Sequence, residues 1–80
     1  MNKQAAMRYL VVFEKGRKNY SAYVPDLPGC VATGKTHEEC EAMIAESIRL
    51  HIDDMRDSGT PIPAAVSDAE MMYVGELQHA

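Results

Sequence analysis

An activated cysteine needs an imidazole base held against it, and a hydrolytic serine needs the same. Cys30 follows a turn rich in proline and glycine, and His37 lies seven residues further on, but nothing in the spacing holds the two side chains together. Asp53 and Asp54 are adjacent carboxylates. Neighbours on a helix point about 100° apart, which suits a solvated surface better than a shared metal ion. His51 sits beside Ile52 at the edge of an apolar stripe, the position of a boundary histidine rather than a ligand. Cys30 and Cys40 form neither a CxxC nor a zinc-spaced set with the three histidines. Their spacing permits a disulfide, but in a reducing compartment two buried thiols are expected. Gly29 and Gly34 do not spell a phosphate-binding loop. The residue types thus predict no catalytic centre, no metal site and no cofactor.

The elements that would carry these residues are easier to read. Met7–Phe13 is β-branched and aromatic, with Tyr9, Val11 and Phe13 on one face and Leu10 and Val12 on the other. Glu14–Asn19 is a polar hairpin loop, and Tyr20–Val24 a second strand. Pro25-Asp26-Leu27-Pro28-Gly29 has to turn, because both prolines and the glycine oppose a ladder. Cys30–Gly34 gives a short third strand. Thr36-His37-Glu38-Glu39 is a capping box, with the Thr36 hydroxyl placed for the Glu39 amide and Glu39 for the Thr36 amide. Apolar residues then follow at Cys40, Met43, Ile44, Ile48, Ile52 and Met55, one helical stripe. Glu46 can support Arg49, and Asp53 can support Arg56. Gly59 and Pro61 stop the helix. Met71–Val74, extendable to Leu77, reads as a last strand.

The predicted fold is α+β, in the order β-β-β-α-β. A three-stranded antiparallel meander precedes one long helix, and a right-handed crossover lays the final strand beside the first, which becomes central. A helix over Thr36–Ser58 spans about 33 Å, and seven-residue strands about 23 Å, so its end should overhang the sheet. One helix covers one face only. The apolar residues on the other face predict self-association, as a dimer or a higher oligomer.

The chain has 80 residues, 46% hydrophobic and 25% charged, which are values of a single globular domain over residues 1–80, with residues 1–6 expected to be flexible. No apolar run approaches a membrane span, and the first residues lack the apolar centre of a signal peptide, so a cytoplasmic protein is expected. The net charge of −4 is unevenly placed: residues 1–35 carry +4 and residues 36–80 carry −8. An acidic half of this kind suits a basic partner, although a solvated helix face is the plainer reading. Lys15, Arg17 and Lys18 make a small basic loop, but direct nucleic-acid binding is not expected from an acidic chain.

The most specific local signature runs from Tyr20 through Val24-Pro25-Asp26-Leu27-Pro28-Gly29-Cys30 to Gly34-Lys35-Thr36-His37-Glu38-Glu39, and ends at Gly59-Thr60-Pro61-Ile62-Pro63. It resembles the HicB-like antitoxin family of bacterial type II toxin–antitoxin systems, over about residues 7 to 77. The resemblance implies a partial ribonuclease-H-like sheet with one helix and no retained nuclease site. It implies a non-enzymatic protein that binds and neutralises a small basic HicA-like mRNA-cleaving toxin. Family members often carry a C-terminal DNA-binding module, for which the residues after the last strand are too few, so this chain alone is not expected to bind its promoter. Set against a basic toxin, the acidic helix nominates Glu38, Glu41 and Glu46, and the turn beside it Asp26, Leu27 and Pro28, as partner-binding residues. The alternative is an orphan HicB-like oligomeric scaffold or ligand-binding module without a toxin.

Overall fold

The computed structural model describes residues 8–76. Its elements are β1 (Val12–Lys15), β2 (Tyr20–Tyr23), β3 (Val31–Gly34) and α1 (His37–Ser58). The strands form one antiparallel sheet in the order β1-β2-β3, with Phe13 opposite Ala22 and Ala22 opposite Ala32. The meander and the long helix are as predicted, whereas the fourth strand is absent among the described residues: Met71–Val74 are unpaired and exposed. The expected continuation at Leu77 and the expected flexibility of residues 1–6 lie outside the described residues. β2, not the first strand, is therefore central. Apolar character on both faces marks Leu10–Phe13 as strand-like but does not supply a neighbour.

The ladder between β1 and β2 is also shifted toward the hairpin. It starts at Val12, opposite Tyr23, because β2 turns away at Val24, and it runs on through Glu14 and Lys15 to Tyr20. Backbone pairing is indifferent to side-chain polarity, so the polar residues assigned to the loop lengthen the strand instead. The remaining loop closes with the Gly16 amide donating to the Asn19 carbonyl at 2.7 Å.

Pro25–Gly29 folds as two consecutive turns. The Leu27 amide donates to the Val24 carbonyl and the Cys30 amide to the Leu27 carbonyl, both at 3.0 Å. A proline occupies the second position of each turn, where its fixed φ is already correct, and Gly29 in the second turn has φ 85°, as a type II turn requires. Leu27 is the residue the two turns share, and it points inward with no exposed surface.

The core lies between this turn, β2 and α1: Ala22, Val24, Leu27, Cys30, Cys40, Ile44 and Ile52 are buried. Ile48 and Met55 join it from the helix and Ile62 from the connector beyond, so the helix end that overhangs the strands is covered by the chain's own return. Met43 is the exception to the predicted stripe. It is 54% exposed, because it falls on the flank of α1 that faces past the edge of β3. Cys30 and Cys40 are both buried and free, not bridged.

The helix begins as its sequence dictates. Thr36 is the N-cap, and its hydroxyl accepts the Glu39 amide at 3.0 Å. The reciprocal contact is one residue earlier than expected: Glu39 Oε1 accepts the Lys35 amide at 2.9 Å, not that of Thr36. Gly59, with φ 73°, ends the helix, and the Gly59 and Thr60 amides donate to the Arg56 and Met55 carbonyls.

Candidate functional site

The residues that carry charge toward a partner sit on α1 and on the double turn. Glu38 belongs to the first helical turn, where a carboxylate also complements the helix dipole. Glu41 lies three residues on, along the same flank. It lines a shallow groove between α1 and the segment entering β1, with Tyr9, Val11, Phe13, Ile44 and Ile48. Glu46 lies elsewhere, beside a second groove between α1 and the β3 edge, where Val31, Met43 and Leu50 are exposed. The three helix acids therefore do not form one patch.

Their charges are not equally available. Arg49 donates to Glu46, through Nε at 3.3 Å, and through Nη1 to Asp53 at 3.2 Å. The hydrogen bond from Arg49 holds the Glu46 carboxyl below its usual range, and the same bond raises the guanidinium. All three side chains are half-exposed, so the bridge adds little stability. Arg49, not Arg56, is the partner of Asp53, because it lies four residues before it and already reaches the same face for Glu46. Glu38 and Glu41 make no ion pair among the described residues.

Asp26 is committed inside the chain. Its Oδ2 accepts the Val66 amide at 2.9 Å and the Ser67 amide at 2.8 Å, and its Oδ1 accepts the Ser67 hydroxyl at 2.7 Å. This carboxylate ties the connector after α1 to the turn. A second tie is the Tyr9 hydroxyl, which donates to the Pro63 carbonyl at 2.6 Å. The Ser67 amide, then the Ser67 hydroxyl, hold the Asp26 carboxyl below its usual 3.8. A carboxyl with a lowered folded-state pKa contributes stability that is present above its unfolded value and lost as pH falls through the folded one. The Val66 and Ser67 amide resonances are therefore expected to titrate together, with a midpoint below 3.8. Asp26→Asn should abolish that titration and raise exchange at both amides, and an unchanged titration would show that Asp26 is not the tie.

Leu27 has no exposed surface, so its side chain offers nothing to a partner, while Pro28 beside it is exposed. Cys30 and His37 are not brought together. Cys30 Sγ lies 3.4 Å from Ser47 Oγ, whereas His37 packs on Phe13, with ring centroids 4.4 Å apart, and edge-on to Tyr20. Among the described residues no group of His, Cys, Asp and Glu could hold a metal ion, and no helix is long and apolar enough to cross a membrane. The exposed apolar row on the β3 flank escaped the sequence reading. Met43 fits the helical stripe by spacing, and only the position of the sheet edge exposes it.

A sequence profile described as the HicB-like antitoxin of a bacterial toxin–antitoxin system matches residues 9–79. The chain belongs to the HicB-like antitoxin family. Among curated relatives, this HicB-like chain is similar to a UPF0150 protein of Helicobacter pylori, 46% identical over 55% of this chain and 61% of the relative. It is 38% identical to a UPF0150 protein of Thermoplasma acidophilum, over 71% of this chain and 84% of the relative. It is 35% identical to an uncharacterized 14.9 kDa protein in the rep-hol intergenic region of Haemophilus phage HP1, over 71% of this chain and 43% of that protein. The chain thus spans less than two thirds of the Helicobacter and phage proteins. No solved structure matches.

Proposed function

We propose that this HicB-like chain is a non-enzymatic cytoplasmic antitoxin that binds and occludes a small, basic, HicA-like ribonuclease toxin. The match to the antitoxin family over residues 9–79 carries the reading. The −8 charge of residues 36–80 supports it, since an acidic surface accelerates encounter with a basic RNA-binding partner. Glu38 and Glu41 are the leading charge contacts. Glu46 contributes through its bridge to Arg49, and Pro28 and the exposed rim of the double turn lie within the same proposal. The chain works as a homo-oligomer, and a fourth strand completes a partial ribonuclease-H-like sheet.

The test is association with a HicA-like toxin at two salt concentrations. A Glu38→Gln/Glu41→Gln/Glu46→Gln chain, confirmed folded by its helical circular dichroism, should associate roughly 3- to 10-fold more slowly at low salt. Its rate should also depend less on salt. Equal rates for both chains at both salts would remove α1 from the contact. No association of either chain with a toxin encoded beside it would favour the orphan scaffold.

A further inference from the structure

The free edge of β3 and the flank of α1 beside it form a groove with its own pattern of backbone groups, apolar side chains and charge. β3 is an outer strand of the order β1-β2-β3, and its free edge has no partner among the described residues. α1 runs back along it: Gly34 lies against Cys40 at one end, and Cys30 against Ser47 at the other. The Val24 amide donates to the Cys30 carbonyl at 3.1 Å. Antiparallel pairing alternates, so Ala32 and Gly34 also turn their backbone groups toward β2, while Val31 and Thr33 turn theirs outward. Their amides and carbonyls are thus offered to a further strand. Val31-Ala32-Thr33-Gly34 carries no charge, no proline and no bulge, the devices that keep such an edge from pairing.

The lining of the groove sets the chemistry of such a strand. Val31, Met43 and Leu50 line it and are 63%, 54% and 54% exposed. Met43 and Leu50 lie two turns apart on one flank of α1. A strand beside β3 directs every second side chain toward that flank, so apolar residues at alternate positions fit it. Glu46 and Asp54 stand on the helix side of the groove with His51. Arg49, between the two acids in sequence, is held by Glu46 and Asp53. With histidine counted neutral the rim is negative, and it suits a segment that also carries lysine or arginine. A second copy fits worse, because a two-fold axis at this edge would set Glu46 and Asp54 against the same acids of its neighbour.

Resting on the antitoxin reading, we propose that the basic partner docks here by adding an extended segment to the β3 edge, its apolar side chains on Met43 and Leu50 and its cations on Glu46 and Asp54. The probe is the HicA-like toxin, titrated onto the full-length chain. In the complex the Val31 and Thr33 amides should gain about tenfold or more protection from hydrogen exchange. A Met43→Lys/Leu50→Lys chain should bind the toxin about tenfold or more weakly. Both positions are exposed on α1, so its helical circular dichroism and urea midpoint should match those of the parent chain. A Met43→Glu/Leu50→Glu chain, equally polar but of complementary charge, should lose less, and equal losses would overturn the basic occupant. A toxin that binds the lysine chain as tightly as the parent, or binds without protecting Val31 and Thr33, overturns this docking site and leaves the antitoxin reading standing. Protection of those amides by self-association, without toxin, assigns the edge to a second copy and overturns it as well. A parent chain that does not bind the toxin overturns both.

Discussion

Gly34→Ala is expected to cost about 3 kcal/mol or more, at or above the upper end of ordinary overpacking. A β-carbon at Gly34 would lie 2.4 Å from the Cys40 amide nitrogen, 2.8 Å from Cys40 Cα and 2.9 Å from the Glu39 carbonyl carbon. These are backbone atoms of the first helical turn and cannot rotate aside. The helix would have to lift from β3, and Cys40, fully buried beneath that contact, would lose its packing. A core of this size supplies only about 3–5 kcal/mol in total, so the variant should be largely unfolded at ambient temperature. Urea unfolding followed by far-ultraviolet circular dichroism measures this. Thr33→Ala, at an exposed neighbouring position, serves as the control and should stay within about 0.5 kcal/mol. A Gly34→Ala midpoint equal to that of the control would mean that the sheet and helix are further apart than described.

Leu27→Ala should cost about 2–5 kcal/mol. Leu27 has no exposed surface and plugs the core from the junction of two hydrogen-bonded turns. Those turns fix the backbone on both sides, so the site can collapse little and a cavity remains. The loss should appear in stability and not in recognition. Measured at low temperature and corrected for the folded fraction, the variant's association rate with a basic toxin should match that of the parent chain. A variant of normal stability that associates slowly would return Leu27 to the contact surface. The contrast with the triple glutamine chain, expected to be stable but slow, separates core from surface within one signature motif.

The same motif shows how far a sequence reading reaches. Pro25, Pro28 and Gly29 announce a turn because each restricts or frees φ by covalent structure alone. The capping box and Gly59 likewise bound α1, since caps are local hydrogen bonds. The apolar spacing placed Cys40, Ile44, Ile48 and Ile52 on the buried side of the helix. Within a turn or two of helix only the choice between neighbouring partners failed, as for Glu39 and Asp53, and the larger failures needed a distant neighbour. Asp26 looked like a surface charge until Val66 and Ser67, 40 and 41 residues on, took both its oxygens. Met43 matched the stripe, but the sheet does not extend beneath it.

Residue types and short-range spacing by themselves determined the meander, the helix with both its ends, the presence of a turn at Pro25–Gly29, the split of charge and the family resemblance. All of these follow from interactions within a few residues, or from summed charge, neither of which depends on how the chain is packed. Tertiary structure alone decided that β2 is central, that Leu27 is core and Asp26 a tie, and that Gly34 is a contact point and not merely a strand end. It also decided that residues 71–74 have no strand to lie against within the described chain. Strand order and burial are set by which surfaces meet across the chain, and an apolar run carries no record of its neighbour.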